Sequence, residues 1–322
     1  MKSYQGKRCL DLSMGLGVDS LHFSHHFEEV ISVEMRSDLH LIGKHNFSQL
    51  GIQNIRLVHA RAEEYLSQYQ GPAFDLIYID PARRDDQDNR IHDLAACSPN
   101  IFELWPFLST HGRKIVVKAS PLYDINEGLQ KIPNCRKIYI HSAKNEVREV
   151  TFEAEGDIES SEVVDLEVVV DNGQKFFRYT FPLKGKENLK SESENITASI
   201  LLEADVAFYK GRCFSQLMGR YFPAVSGRFT HPMGFFLTEG AQVEDFPGRQ
   251  FSIKEVFEYK PRLLKRELKK RGMKTIHVIQ RNFFQSVANI RQQLSLKEGG
   301  RMYLICTEVD GQSKAFLCER LS

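Results

Sequence analysis

Short apolar runs alternate with amphipathic stretches from Lys7 to about Val117, and this alternation constrains the fold more than any other feature of the sequence. The apolar runs have the length and composition of strands, and the stretches between them have helical length and periodicity. Strands that alternate with helices are typical of a parallel sheet with helical crossovers. We therefore predict an α/β fold with a mostly parallel seven-stranded sheet over residues 1–152. Its predicted strands are RCLDLS, EVISVEM, IRLVHA, FDLIYID, RKIVVKAS and, antiparallel, KIYIHS and REVTFEA.

The residues after this domain change in character. Within residues 153–200, apolar and polar side chains alternate around an Asp171-Asn172-Gly173 turn, which predicts a β-hairpin. The polar stretch KGKENLKSESENITAS follows, and its composition predicts a linker or loop.

The rest of the chain predicts two smaller modules. Residues 201–247 are expected to form a middle unit that includes a helix from Ile200 to Leu217. Residues 248–322 are expected to form a compact α+β module. The predicted elements of this module are FSIKEVF, a helix from Pro261 to Arg271, TIHVIQ, a helix from Ser286 to Leu294, RMYLICTE and SKAFLCE.

Charge is balanced over the whole chain but not along it. With 43 Lys and Arg against 42 Asp and Glu, the formal net charge of +1 does not by itself argue for a nucleic-acid partner. Residues 251–322, however, contain fifteen Lys and Arg against seven Asp and Glu. The C-terminal module is therefore basic.

Apolar segments and cysteines indicate the compartment. No apolar run approaches the ~20 residues that span a bilayer, and the start MKSYQGKRCLDLSMG has no apolar stretch of signal-peptide type. We therefore expect a cytoplasmic protein without membrane association. The six cysteines are scattered without a Cys-x-x-Cys pair, which predicts buried free thiols and no metal site.

The segment from Cys9 to Ser20 carries the strongest functional signal. An apolar strand runs into Gly15-Leu16-Gly17 and then into a helix, so the backbone can approach a ligand at the helix start. The second strand ends at Glu34, where a carboxylate can accept both hydroxyls of a ribose. Ser20 stands where a dinucleotide oxidoreductase would have its third glycine, and no P-loop lysine follows. The pattern predicts a nucleoside ligand without phosphates.

Four motifs in this order resemble those of the class I S-adenosylmethionine-dependent methyltransferases, over about residues 7–152. They are the glycine loop, Glu34, VHARAEEYL after the third strand and FDLIYIDPARR after the fourth. The whole chain is similar to bacterial methyltransferases that end in a THUMP-like domain, with EDFPGRQF and the basic module as supporting features. The resemblance implies a Rossmann-like methyltransferase domain and S-adenosyl-L-methionine as the cofactor.

The resemblance also implies roles for individual residues. Gly15 and Gly17 would line the methionine part of the cofactor, Asp11 would lie near its ammonium, and Glu34 would hold the ribose. At the adenine the family has an acidic side chain before a small residue, whereas here Arg61 precedes Ala62, whose amide could serve. The implied cofactor-binding residues are Asp11, Gly15, Gly17, Asp19, Glu34, Arg61 and Ala62.

Asp80-Pro81-Ala82-Arg83 resembles the Asp-Pro-Pro-Tyr loop of enzymes that methylate exocyclic base amines. In that loop the acid and a prolyl carbonyl accept hydrogen bonds from the amine and direct its lone pair at the sulfonium methyl. Arg83 occupies the aromatic position, and arginine can stack on a base or bind a phosphate. The implied catalytic residues are Asp80, Pro81 and Arg83, with Arg84 contacting the substrate.

A second resemblance competes with the first. RKIVVKAS and VREVTFEA are similar to the late motifs of ribose 2′-O-methyltransferases, in which a Lys-Asp-Lys-Glu set activates a hydroxyl. Lys118, Asp80 and Glu149 match three of its four members. The first lysine of that set precedes the glycine loop, and this chain begins only about ten residues upstream of the loop. Either the chain is N-terminally short relative to its relatives, or that mechanism is excluded.

The helix predicted from Pro261 has one basic and one apolar face. Its basic residues recur at helical spacing opposite three leucines, which fits either a solvated face or a contact with phosphates. Phe283 and Phe284 are expected in the core, with base stacking as the alternative. The expected substrate contacts of this helix are Arg262, Arg266, Lys269 and Lys270, and Lys265 shares its basic face.

These observations predict an enzyme that transfers a methyl group from S-adenosylmethionine to a base nitrogen in RNA, either tRNA or rRNA, without an obligate protein partner. A ribose 2′-O-methyltransferase is one alternative. A non-catalytic RNA-binding protein that keeps the fold is another, and a methyltransferase acting on a small molecule or a protein is a third. DNA also remains open as the polymer, because basic surfaces bind either.

Overall fold

The computed structural model describes residues 4–82, 93–156, 163–183 and 198–321. The chain divides into two compact units. The first comprises residues 1–141, 147–169 and 180–184, and the second comprises residues 142–146, 170–179 and 185–322. The predicted boundary at residue 152 falls inside a strand, and part of the predicted linker lies outside the described residues.

A nine-stranded sheet in the order β3-β2-β1-β4-β5-β7-β6-β8-β9 organises the N-terminal half of the chain. Strands β1 to β5 pair in parallel, and β7 pairs with β5 in antiparallel orientation. Its first seven positions are the predicted mostly parallel sheet, and the predicted hairpin adds two strands. The strands are β1 (Gly6–Asp11), β2 (Phe27–Glu34), β3 (Ile55–His59), β4 (Phe74–Ile79), β5 (Gly112–Ala119), β6 (Cys135–Ala143), β7 (Glu146–Glu155), β8 (Asp165–Asp171) and β9 (Phe176–Pro182).

Helices connect the parallel strands, and the central strands each carry a buried apolar stretch because both faces of the sheet are covered. Leu10, Ile31, Ile77 and Val116 are buried in four of these strands. The strand order reverses between β1 and β4, and the carboxyl ends of strands at such a reversal form a ligand crevice. The helices are α1 (Val18–Ser24), α2 (Ser37–Gln49), α3 (Ala62–Ser67), α4 (Ile101–His111) and α5 (Ile125–Lys131), of which α5 was not predicted.

The second unit contains a seven-stranded sheet in the order β11-β12-β10-β13-β16-β15-β14. Its strands are β10 (Ile200–Ala204), β11 (Gly227–Phe229), β12 (Phe236–Thr238), β13 (Gly248–Glu258), β14 (His277–Gln280), β15 (Met302–Val309) and β16 (Gln312–Arg320). Its helices are α6 (Val206–Lys210), α7 (Phe214–Tyr221), α8 (Pro261–Lys270) and α9 (Val287–Leu294). Among the described residues, no helix of the chain is long and apolar enough to span a membrane.

The structure corrects one expectation for the second unit. The predicted helix from Ile200 to Leu217 is wrong, because its first five residues form β10, which is buried and pairs with both β12 and β13. The β10–β13 pairing joins the predicted middle unit and the predicted C-terminal module in one sheet, so the boundary predicted between residues 247 and 248 lies within that sheet.

The two helices of the C-terminal module form where they were predicted. Leu264 and Leu268 of α8 and Ile290 and Leu294 of α9 are buried in one apolar cluster on the sheet. All six cysteines are free and buried, as predicted.

Glu153 of β7 connects three strands and the N-terminal segment of the first unit. Its carboxylate accepts hydrogen bonds from the hydroxyls of Tyr4 (2.5 Å) and Tyr139 (2.9 Å), and it lies 3.1 Å from Lys114 Nζ. Burial alone would raise the pKa of Glu153, but the hydrogen bond from Tyr4, the Lys114 ammonium and the bond from Tyr139 lower it below the ordinary value. The ionised carboxylate therefore stabilises this unit.

We predict that Glu153→Ala lowers the free energy of unfolding at pH 7 by about 2–3 kcal/mol, because two buried hydroxyls and an ammonium lose their partner. Since the folded-state pKa is lowered, the stabilisation is present above the ordinary glutamate value and is lost as the pH falls through the lowered value. Urea unfolding at pH 7 and pH 3 measures both. Glu127→Ala, in an exposed i,i+4 pair with Lys131, is the control and should cost about 0.5 kcal/mol. Equal losses in the two variants contradict the prediction.

Candidate functional site

The loop after β1 folds back onto the end of β2. The backbone N–H of Gly15 donates to Glu34 Oε2 (2.8 Å), and the N–H of Arg36 donates to Glu34 Oε1 (2.8 Å). Gly15 and Gly17 have φ angles of 56° and 83°, which favour glycine. A Cβ at Gly17 would also lie 2.5 Å from the Phe47 ring. The predicted cofactor residues Gly15, Gly17 and Glu34 are therefore brought together.

Asp11, the last residue of β1, holds the start of this loop through hydrogen bonds. Its carboxylate accepts hydrogen bonds from the Ser13 backbone N–H (3.0 Å) and from the Ser20 hydroxyl (2.5 Å), and the Ser32 hydroxyl in turn donates to Ser20 (2.9 Å). Asp11, Ser20 and Ser32 are buried. Burial raises the pKa of Asp11 to about 7, although the bonds from Ser20 and Ser13 oppose the rise. Ser20, in the position of a third glycine, thus holds the carboxylate that shapes the loop.

Four charged side chains meet at the carboxyl ends of the strands on the other side of the β1–β4 reversal. Lys118 Nζ lies 3.1 Å from Asp80 Oδ2, 3.7 Å from Glu149 Oε2 and 3.9 Å from Asp19 Oδ2. Burial lowers the pKa of Lys118, but the carboxylates of Asp80, Asp19 and Glu149 outweigh burial and raise it above the ordinary value. Lys118 is therefore an ammonium at neutral pH.

The same carboxyl edge is held together by hydrogen bonds. The hydroxyl of the buried Tyr78 donates to Asp19 Oδ2 (2.8 Å), and the Asp80 backbone N–H donates to the Ser13 hydroxyl (2.6 Å). The second bond joins the glycine loop to the end of β4. Asp80, Asp19 and Glu34 thus lie at one edge of the sheet. The carboxylate of Asp19, a predicted cofactor residue, contacts Tyr78 and Lys118.

The segment after Asp80 is described only in part. Pro81 is buried, and Ala82 donates its backbone N–H to the Ser98 carbonyl (2.8 Å). The predicted catalytic Arg83 and the predicted substrate contact Arg84 lie outside the described residues.

The expected adenine side begins at α3. Arg61 precedes the helix with an exposed side chain, and Ala62 is its buried first residue, so the Ala62 N–H has no partner within the helix. Two exposed apolar side chains that the sequence did not single out lie at the carboxyl ends of the strands, namely Leu16 (60%) in the glycine loop and Met35 (49%) directly after Glu34. An apolar residue directly after a strand-end acid was the signal that could have identified Met35.

Helix α8 presents the predicted basic face in the second unit. Arg262, Lys265, Arg266, Lys269 and Lys270 are all exposed. Lys270 pairs with Glu267 (3.1 Å), and Lys265 donates to the Ser295 hydroxyl (2.7 Å). Within the described ranges, no carboxylate forms an ion pair with Arg262 or Lys269. These two cations are therefore available to an external anion.

Phe284 corrects the expectation of two core phenylalanines. Phe283 is partly buried against the cluster beneath α8 and α9, whereas Phe284 is 71% exposed. The Phe284 ring centroid lies 4.8 Å from that of Phe283 and 6.0 Å from that of Tyr259, which is two residues before α8. An exposed aromatic ring thus lies near the start of the basic helix.

Comparisons with known proteins agree with this description. Residues 248–320 match the family model described as THUMP domain-like. A crystal structure from Porphyromonas gingivalis W83, of a protein provisionally named a methyltransferase, covers 99% of this chain and 78% of its own with a TM-score of 0.84 and 23% identity. The comparisons confirm the predicted methyltransferase fold and the THUMP-like C-terminal module.

One curated relative also matches in sequence. The 23S rRNA (uracil(747)-C(5))-methyltransferase RlmC of Vibrio vulnificus (strain CMCP6) is 39% identical over 74 residues, which are 23% of this chain. The match spans 19% of that relative's length. The proteins that this chain resembles in sequence and in fold are thus methyltransferases.

We predict that Asp11→Asn stabilises the protein at pH 8. Because the folded-state pKa of Asp11 is raised, the folded state gains from the proton, and this gain is lost as the pH rises through about 7. The neutral amide removes that loss, so the variant should be more stable by about 1–3 kcal/mol at pH 8 and equal to the wild type near pH 4.

Thermal unfolding between pH 4 and pH 8 measures this difference. Asp38→Asn, at an exposed carboxylate paired with Arg36, is the matched control and should leave the stability nearly unchanged at both pH values. A wild type that is more stable than Asp11→Asn at pH 8 contradicts the prediction.

Proposed function

We propose that this chain is an S-adenosylmethionine-dependent methyltransferase that methylates a base nitrogen in RNA. One observation carries the proposal. The Glu34–glycine loop contact lies at the carboxyl ends of β2 and β1, and the Asp80–Lys118 pair lies at those of the neighbouring β4 and β5. The hydrogen bond from the Asp80 N–H to the Ser13 hydroxyl joins the two. A nucleoside held at the first would present its other end to the second. The methyltransferase fold and the RNA methyltransferase relative support this reading.

The residues present fit the cofactor. Two backbone donors fix the Glu34 carboxylate, and each of its oxygens keeps a lone pair for a ribose hydroxyl. A Cβ at Gly15 would meet only the Ser13 carbonyl, at 3.9 Å, so the space beside the loop is open. Leu16 and Met35 offer apolar surface for an adenine, and the Ala62 N–H can donate to its ring. When bound, the cofactor supplies a methyl group on a sulfonium, which is an excellent leaving group.

The acceptor side favours a nitrogen as the methylated atom. Methyl transfer depends chiefly on alignment, and a base nitrogen attacks with its own lone pair. Asp80 accepts a hydrogen bond from the acceptor amine and orients it, Lys118 holds the Asp80 carboxylate in place, and Arg83 contacts the substrate. A ribose hydroxyl needs a base to remove its proton, and Lys118 is already protonated at neutral pH.

A ribose 2′-hydroxyl is the second candidate acceptor. Lys118, Asp80 and Glu149 match three members of the set that activates this hydroxyl in the 2′-O-methyltransferases. Lys118 Nζ lies 3.1 Å from Asp80 Oδ2 and 3.7 Å from Glu149 Oε2. This juxtaposition is the observation in its favour.

Methylation at carbon 5 of uracil, the activity in the name of RlmC, fits this chain less well. That carbon becomes nucleophilic after a thiolate or similar group adds to carbon 6. All six cysteines are buried, and burial raises the pKa of the Cys135, Cys306 and Cys318 thiols to about 12. A buried thiol of this kind is a poor nucleophile at neutral pH.

RNA is the proposed substrate because the second unit combines a basic helix with an exposed aromatic ring. Arg262, Arg266, Lys269 and Lys270 contact phosphates, and Phe284 stacks on a base. Whether the RNA is a tRNA or an rRNA follows from neither feature. The proposed compartment is the cytoplasm.

We expect Asp80→Ala to reduce methyl transfer by about 100-fold or more while S-adenosylmethionine binding is retained, because Asp80 aligns the acceptor and does not hold the cofactor. Radiolabelled methyl transfer to total tRNA and to rRNA measures the rate, and calorimetric titration measures cofactor binding. Lys118 keeps Glu149 and Asp19 as partners in this variant, so the cluster stays compensated. Full activity of Asp80→Ala contradicts the assignment.

Analysis of the methylated product separates the two candidate acceptors. After digestion of the RNA to nucleosides, mass spectrometry should find the added methyl on the base. Lys118→Met should lower the rate by about tenfold through loss of alignment and leave the product unchanged. A methyl found on the ribose, with activity abolished in Lys118→Met, would instead establish the hydroxyl candidate.

We predict opposite signatures for the two RNA-contacting features of the second unit. Phe284→Ala should weaken RNA binding by about tenfold without changing its salt dependence, because stacking releases no counterions. Lys269→Gln should make the negative slope of log association constant against log salt concentration shallower by about 1. Fluorescence anisotropy with a labelled RNA hairpin measures both. Phe176→Ala, at an exposed phenylalanine of β9, is the control and should change neither quantity. An unchanged affinity of Phe284→Ala contradicts the stacking role.

A further inference from the structure

A buried carboxylate in the second unit is shared by two arginines. Glu203 of β10 is 3% exposed, and its Oε2 lies 2.7 Å from Nε and 2.5 Å from Nη2 of Arg249, while its Oε1 lies 3.2 Å from Nε of Arg281. One negative charge thus faces two positive charges. Among the described residues, no second carboxylate pairs with either arginine, so the cluster has an excess of one positive charge.

Both guanidinium groups are fixed in place. Arg249 lies directly opposite Glu203 in the β10–β13 pairing. The guanidinium carbon of Arg281 lies 3.6 Å from the centroid of the Tyr209 ring, and the Tyr209 hydroxyl donates to the Gly234 carbonyl (3.0 Å). Ordering these long side chains has already cost their rotamer entropy, so an incoming ligand would not have to order them.

The arginines retain donors for such a ligand. A guanidinium has five N–H donors, and Glu203 engages two nitrogens of Arg249 and one of Arg281. The Arg249 and Arg281 side chains are 30% and 24% exposed, whereas Glu203 is sealed beneath them. One arginine already neutralises the Glu203 carboxylate, so the second guanidinium leaves a net positive charge beside N–H donors that Glu203 does not engage.

We propose that Arg249 and Arg281 form a phosphate-binding site for the backbone of the RNA substrate. A phosphate carries the charge that the cluster lacks and accepts paired N–H bonds from guanidinium groups. This inference rests on the proposed RNA substrate, and it assigns a function to the arginine of EDFPGRQF, which the catalytic site does not use. The site is separate from the cations of α8, since neither arginine belongs to that helix.

The test compares the salt dependence of RNA binding in charge-matched variants of the full chain. Binding of a fluorescein-labelled RNA hairpin is measured between about 50 and 200 mM salt. Arg281→Gln and Arg249→Gln should each weaken binding several-fold, and each should make the negative slope of log association constant against log salt concentration shallower by about 1. Arg281→Lys keeps the charge, so its slope should equal that of the wild type. Arg113→Gln removes an exposed charge at the amino end of β5, the edge opposite Lys118, and should have no effect.

Thermal unfolding of each variant separates binding from folding. Should Arg281→Gln not fold, the comparison of Arg249→Gln with the wild type decides. Slopes and affinities that stay unchanged in the folded glutamine variants, whatever their melting temperatures, overturn this inference and leave the proposed function intact. A wild type that binds no RNA overturns both.

Discussion

The contact of the Glu34 carboxylate with the backbone N–H groups of Gly15 and Arg36 is the interaction on which the site depends. It closes the loop after β1 onto the end of β2, which requires the positive φ of Gly15 and the absence of a side chain at Gly17. Asp11 holds the same loop from within the sheet through Ser13 and Ser20. The geometry of the proposed nucleoside side is thus set by backbone donors and by the buried carboxylates of Glu34 and Asp11.

The acceptor side is organised by charge. Lys118 is surrounded by Asp80, Glu149 and Asp19, so it is held as an ammonium. In the proposed function it is therefore a fixed partner for carboxylates and not a base. This electrostatic arrangement favours an acceptor that brings its own lone pair. It also makes the orientation of Asp80 independent of the substrate, which is the pre-organisation that an alignment-dependent reaction uses.

Local patterns in the sequence predicted most of the first unit, because strands that alternate with helices, and a glycine turn between a strand and a helix, are each encoded by residues close together in the chain. The helix predicted from Ile200 to Leu217 was wrong because the short run Ile200–Ala204, with four apolar or small residues around Glu203, fits a buried strand as well as a helix turn. The β10–β13 pairing that decides between them joins residues remote in sequence. The prediction that Phe284 lies in the core was wrong for a related reason. Phe283 packs against the apolar cluster and Phe284 does not, and the sequence of two adjacent phenylalanines does not distinguish them. The contact between Glu203 and Arg281 joins residues 78 positions apart, and no local pattern reports it.

The most direct test of this account is calorimetric titration of S-adenosylmethionine into the wild type and into Glu34→Ala, because every catalytic proposal requires that site. We predict saturable one-to-one binding to the wild type and its loss in Glu34→Ala, with the fold of the variant retained as measured by circular dichroism. A wild type that binds no cofactor, or a Glu34→Ala variant that binds it equally well, contradicts the central claim that the Glu34–glycine loop contact forms the cofactor site.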